Sequence, residues 1–172
     1  YNYFFKLYLQ YIHPIAETLS WCLMKNHFHF LVYIREEKGV LADSLVYSTV
    51  EKPKKLDPSK QFGHLFNAYT QAINKKYNRT GSLFEKPFER KRVTSEKYLK
   101  NLIYYIHNNP VHHGITKSIN EYTWSSYGSV LSEMPTKLDR EHVIEIFGSV
   151  ENFIDYHSQE QDVNSIFDLL ID

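Results

Sequence analysis

An α+β fold is what this sequence predicts, and two observations carry the prediction. Residues 18–24 and 27–34 are β-prone runs separated by the turn-sized Lys25-Asn26, which reads as an antiparallel hairpin. Residues 62–77 and 96–108 instead carry apolar side chains at helical spacing.

Each element follows from its own signals. Residues 1–12 read as an amphipathic helix with Phe4, Phe5, Leu7, Tyr8 and Tyr11 on its apolar side. His13-Pro14 ends it, because a residue before proline is pushed out of the helical region. The chain opens on Tyr1 inside this helix, so a further N-terminal element is expected ahead of it. The hairpin comes next. Residues 35–60 have weak periodicity, include Glu51-Lys52-Pro53-Lys54-Lys55, and read as a long connection with room for a short helix. In residues 62–77, Leu65, Phe66, Tyr69, Ala72 and Ile73 share one face, and Asn78 with Gly81 marks the stop. Residues 88–94 alternate as a short, very basic strand. Ser95 is a suitable N-cap for the helix of residues 96–108, with Leu99, Leu102, Ile103 and Ile106 inward and Asn109-Pro110 closing it. Trp124-Ser125-Ser126-Tyr127 fits a loop or a single helical turn. Asp139 caps a helix that runs to Phe147, Gly148 ends it, and residues 151–157 begin another. Residues 1–130 are expected to form the main domain and residues 131–172 a small helical appendage.

Composition narrows the partners. The 14 Tyr and 11 Phe side chains can fill a core, and they can also stack on nucleic-acid bases. Net charge is zero, but the charges are segregated. Residues 52–100 hold 13 of the 20 Lys and Arg and only four acids, a local balance of +9 against −9 elsewhere. Such a basic middle suits a phosphate backbone, and it equally suits a solvated charged face. The single Cys22 excludes an internal disulfide, no apolar run approaches a membrane span, and no signal-peptide pattern opens the chain. A cytoplasmic protein is the default expectation.

Chemistry-bearing residues fall in two places. His27 and His29 flank Phe28, and on a strand side chains two apart share a face, so the two imidazoles converge as half of a divalent-metal site. Tyr105 and Asn109 lie four apart, one helical turn, on one face. An amide oxygen can complete a set for Mg²⁺ or Mn²⁺, and a tyrosine beside the ion can attack a phosphodiester. Residue types alone leave other readings open. His-x-His strands arise incidentally, Tyr105 can be a core tyrosine beside Tyr104, and Asn109 can be a helix end before proline.

Met24-Lys25-Asn26-His27-Phe28-His29-Phe30-Leu31-Val32 resembles the signature strand of the HUH single-tyrosine transposases. Tyr105-Ile106-His107-Asn108-Asn109-Pro110-Val111 resembles their nucleophile helix. Gly81-Ser82-Leu83-Phe84-Glu85-Lys86-Pro87-Phe88 and Trp124-Ser125-Ser126-Tyr127 resemble the REP-associated tyrosine transposase branch, and the likeness runs in order from about residue 18 to residue 127. The resemblance implies a ferredoxin-like α+β fold, an antiparallel sheet with helices packed on one face. It implies His27, His29 and Asn109 as metal ligands and Tyr105 as the nucleophile. It also implies cleavage of single-stranded DNA through a 5′-phosphotyrosine link that leaves a 3′-OH. Lys25 departs from a common proline, and His112-His113 replaces the frequent Arg-Ala after Asn-Pro-Val, which bears on DNA contacts.

The reading is therefore a metal-dependent enzyme that nicks and rejoins hairpin-bearing single-stranded DNA, as a monomer or homodimer. Its expected DNA-contacting residues are Lys75, Lys76, Arg79, Arg90, Lys91, Arg92, Lys97 and Lys100. The alternatives are a protein of this fold that binds a DNA or RNA hairpin without cutting it, and an unrelated metal hydrolase that does not need Tyr105.

Overall fold

A computed structural model describes residues 1–35, 56–84, 88–95, 98–164 and 166. Among them the element order is α1 (Asn2–Tyr11), β1 (Ala16–Leu23), β2 (Phe28–Ile34), α2 (Pro58–Tyr77), α3 (Leu99–His112), a 3₁₀ turn (Ile119–Glu121), α4 (Tyr127–Leu131), α5 (Arg140–Phe147) and α6 (Val150–Ser158). This is an α+β fold with a two-stranded antiparallel sheet, as the sequence predicts. No described helix is long and apolar enough to cross a membrane. Most of the connection expected over residues 35–60 lies outside the described residues, as does Lys97.

By compactness the chain forms two units. One unit is Tyr1–Glu17 with Tyr33–Phe88, and the other is Thr18–Val32 with Glu89–Asp172. The physical reason is the second unit's shared core. Leu19, Cys22 and Leu31 of the hairpin and Ile103 and Ile106 of α3 belong to one cluster with Val143, Phe147 and Phe153 of the C-terminal helices.

In the first unit α1 packs on α2, with Phe4 edge-on to Tyr69 at 5.1 Å. The helix α2 starts four residues before its periodicity does. The Asp57 carboxylate accepts the Lys60 N–H at 3.2 Å, and Pro58 takes the first helical position, where its lack of an N–H costs nothing. Asn78 ends the helix in the left-handed conformation, φ 49°. Phe66 meets Phe84 at 5.2 Å and Phe88 at 4.9 Å, so the aromatics of the 81–88 motif pack on α2.

In the second unit the hairpin turn closes where the Met24 N–H donates to the His27 carbonyl at 2.8 Å. The edge of β1 that faces away from β2 is occupied. The Leu23 N–H donates to Trp124 O at 2.9 Å, Ser126 N–H to Trp21 O at 2.9 Å, and Asp139 N–H to Thr18 O at 2.8 Å. That occupation explains a correction: residues 88–95 form no strand. The alternation of 88–94 is one of charges, with only Val93 packed against the core, and β1 has other partners.

The helix α3 also differs at both ends from its sequence reading. Its first helical residue is Leu99, with Tyr98 at the N-cap, and it runs through Asn109-Pro110 to His112. Proline forfeits one backbone hydrogen bond. Here it does so in the final turn, where the Pro110 carbonyl accepts Ile115 N–H at 2.8 Å and the buried ring adds apolar packing. Asp139 and Gly148 cap α5 as expected, the glycine at φ 89°.

Candidate active site

His27 stands one residue before β2 rather than on it, yet the two-residue spacing still brings the imidazoles together. The His27 and His29 ring centres are 5.1 Å apart. Across from them, α3 presents Tyr105 and Asn109 one turn apart, both buried. Asn109 Oδ1 lies 3.1 Å from His27 Nε2, and the Tyr105 ring centre lies 5.8 Å from that of His29. All four side chains named from the sequence thus meet within the second unit.

Tyr104 points elsewhere. Its ring packs against Tyr156 at 6.2 Å and His157 at 5.7 Å, and burial raises its pKa against the lowering effect of a Gln161 backbone hydrogen bond. Adjacent tyrosines on a helix diverge by about 100°, and only Tyr105 is turned toward His29.

The donor set has the chemistry of a divalent-cation site. Both His27 nitrogens face amide oxygens: Nε2 faces Asn109 Oδ1, and Nδ1 lies 3.0 Å from Asn26 Oδ1. A neutral imidazole carries one N–H, so it can donate to only one of them. A cation between Nε2 and Asn109 Oδ1 would resolve the conflict, leaving Nδ1–H to donate to Asn26, as would an Asn109 amide turned so that its Nδ2–H donates to Nε2. The 3.1 Å separation also matches the ~3 Å expected between neighbouring ligands on an octahedral ion with bonds of about 2.1 Å. Asn109 Nδ2 is buried with no hydrogen-bond partner among the described residues, so the amide is held there without full satisfaction of its own polar groups. The residues fit the ion.

Sequence reading missed what lies behind α3. His107 is fully buried between Tyr105 and Asn109, on the opposite side of the helix. His157 Nδ1–H donates to Phe153 O at 2.8 Å, which makes His157 Nε2 the acceptor of His107 Nδ1–H at 3.0 Å. His107 Nε2 then accepts the Ser126 hydroxyl at 2.7 Å, with Ser20 Oγ 3.1 Å away. Ser126 Oγ also accepts the Trp21 N–H at 2.9 Å. The chain of bonds ties α3 to β1, to the 124–127 motif and to α6. Burial, with His157 beside it, holds His107 well below the usual histidine range. Burial lowers His157 to about 4 against the raising effect of the Phe153 carbonyl. The only sequence signal was a histidine on the inward face of a helix.

The basic residues fall into both units. Lys75, Lys76 and Arg79 are exposed at the end of α2 in the first. Arg90, Lys91, Arg92 and Lys100 are exposed in the second. Lys100 Nζ sits 5.7 Å from the Phe147 ring centre.

Among known proteins, the chain is 25% identical over 116 residues to a curated Haemophilus influenzae protein that carries the provisional name REP-associated tyrosine transposase. It is a distant relative. The match covers 67% of this chain, and the chain spans 61% of that protein's length. No family model matches the chain. No solved structure matches it.

Proposed function

We propose that this chain carries the catalytic centre of a transposase-type enzyme that nicks and rejoins hairpin-bearing single-stranded DNA, with Tyr105 as nucleophile. One observation carries the reading: His27 Nε2 and Asn109 Oδ1 face each other at 3.1 Å, the His29 ring adjoins that of His27, and the Tyr105 ring adjoins that of His29. The distant relative's name supports a DNA-processing enzyme of this kind.

His27, His29 and Asn109 would hold Mg²⁺ or Mn²⁺, which would supply polarisation of a phosphoryl oxygen and offset charge developing on it. Tyr105 Oη attacks phosphorus, the Oη–P bond forms, and the P–O3′ bond breaks. The phenolic proton passes to solvent water as Oη attacks, and the departing 3′ oxygen takes up a proton from water to become a 3′-OH. The 5′ end stays esterified to Tyr105. Attack by a 3′-OH on that ester reverses the sequence and rejoins a strand with no nucleotide cofactor, because the phosphodiester energy is retained in the tyrosine ester. Exposed Arg and Lys side chains neutralise phosphates and set the strand's position.

The test is covalent capture of a labelled single-stranded hairpin in the presence of Mn²⁺. Tyr105→Phe should abolish the protein–DNA adduct and leave binding within about threefold, since affinity comes from phosphates and stacking. Tyr104→Phe should retain the adduct. Binding without any adduct from the unaltered chain would favour the binding-only protein, and an adduct surviving in Tyr105→Phe would move the nucleophile elsewhere.

A further inference from the structure

We infer that Tyr3, Tyr69 and Tyr77 form a stacking surface for unpaired bases, with Lys76 and Arg79 beside it for the phosphates of the same strand. The inference deepens the proposed action on single-stranded DNA and rests on it for the choice of strand. It assigns that preference to side chains outside the candidate centre, all of them in the first unit. The helix α1 runs antiparallel to α2, since Tyr3 meets Tyr69 at one end and Tyr11 meets His64, 5.9 Å away, towards the other. The start of α1 therefore lies beside the second half of α2. There the rings of Tyr3 and Tyr69 are close to parallel, their planes 23° apart and their centres separated by 6.4 Å. Tyr77 follows two turns after Tyr69, roughly 12 Å along the axis. That is the length of roughly three to four stacked nucleotides at about 3.4 Å each. Burial raises the pKa of Tyr69, and the nearby hydroxyls of Tyr1 and Tyr77 add to the rise, so the tyrosines of the two helix ends are neighbours.

Exposure and charge separate this surface from an ordinary solvated helix pair. Tyr3 is 46% exposed and Tyr77 62%, far more than rings that serve packing alone. Single exposed aromatics are common on protein surfaces, whereas these stand together. The helices α1 and α2 hold Lys6, Lys60, Lys75 and Lys76 and neither Asp nor Glu, and the exposed Arg79 follows. A solvated helix face normally mixes both signs. Flat rings among cations complement a polymer that offers both π faces and phosphates, which an acidic protein surface does not. A duplex offers the phosphates but keeps the faces of its bases covered. Lys76 Nζ lies 5.4 Å from the Tyr77 ring centre, so a base stacked on that ring brings its own phosphate within reach of the ammonium.

The experiment is fluorescence-anisotropy titration of the full chain with a labelled oligothymidylate, and with a blunt duplex of the same length, across a series of salt concentrations. Tyr77→Ala should weaken oligothymidylate binding about tenfold while leaving duplex affinity within about twofold. Its slope of log affinity against log salt should stay as it is, because stacking releases no counterion. Tyr77→Phe keeps the ring and should bind like the unaltered chain. Lys76→Gln should instead flatten the slope by about 0.7. Tyr77 is exposed at a helix end, so its variants should keep the circular dichroism spectrum of the unaltered chain. Unchanged oligothymidylate affinity in Tyr77→Ala, or a loss shared equally by the duplex, would overturn the inference. A loss in Tyr77→Phe as large as in Tyr77→Ala would mark a hydroxyl contact and overturn it too. Covalent capture reads the catalytic proposal separately. An unaltered chain that forms no adduct yet shows the Tyr77 effect would bring down the nucleophile reading and leave the stacking surface standing.

Discussion

His107 illustrates how a side chain can matter while touching none of the proposed chemistry. It has a full set of neutral partners, each supplied by a different part of the chain: His157 at 3.0 Å, Ser126 at 2.7 Å and Ser20 at 3.1 Å. Replacing it with Phe would leave these polar groups buried and unmatched, and a network of this sort loses more than one bond's worth. His107→Phe should therefore cost about 2–4 kcal/mol of stability, read by urea denaturation at neutral pH. A loss below about 1 kcal/mol would mean that water replaces the ring. At this scale the sequence was legible where partners are periodic. His27 with His29 and Tyr105 with Asn109 could be paired from intervals of two and four alone. The network could not, because its partners lie 19, 50 and 87 residues from His107 and no local pattern points to them.

Among the elements, the helices were legible because apolar spacing and caps report the same thing twice. The entry to α2 shows the gain from reading both. Periodicity begins at Phe62, whereas Asp57-Pro58 marks the true start. The basic run at 88–94 failed as a strand because alternation of charges says nothing about which face is buried, and β1 is paired with residues 124–126 and 138–139 instead. Arg90 and Arg92 therefore share no pleated face, but both are exposed and remain the proposed phosphate-binding residues of the second unit. The Arg90→Ala/Arg92→Ala double variant should bind single-stranded hairpin DNA more weakly. Its dependence of log affinity on log salt should flatten by about 0.7 for each phosphate that is no longer neutralised. An unchanged slope in a variant with an intact circular dichroism spectrum would make these charges a solvated surface only.

Taken as a whole molecule, the chain is stabilised by histidines that stay neutral. His157 is enclosed by the rings of Tyr104, Tyr127, Phe147, Phe153 and Tyr156 and by His107. An unfolded histidine titrates near 6.5, while the folded His157 is lowered to about 4. Above pH 6.5 the two states bind no different number of protons at this group, and its contribution to stability is complete. As pH falls from 6.5 to 4, the unfolded chain gains a proton that the folded one refuses, and stability drops by up to about 3 kcal/mol. His107, shifted the same way, adds to the trend. The thermal midpoint should accordingly fall across that interval, and His157→Gln should show a shallower fall. Equal slopes for the two proteins would assign the acid sensitivity to groups other than His157, namely His107 or carboxylates.

The discontinuous second unit has a consequence for synthesis. Its core joins Leu19 and Leu31 to Phe147 and Phe153, so more than a hundred residues must leave the ribosome before the hairpin has met the last of its partners. The α1–α2 pair, complete by Phe88, can assemble first from interactions within one stretch of chain. Long-range closures of this kind form late, after the entropy of the intervening loop has been overcome. On a nascent chain the two histidines of the hairpin would thus offer their imidazoles to any passing cation until α3 had followed with Asn109, 82 residues after His27.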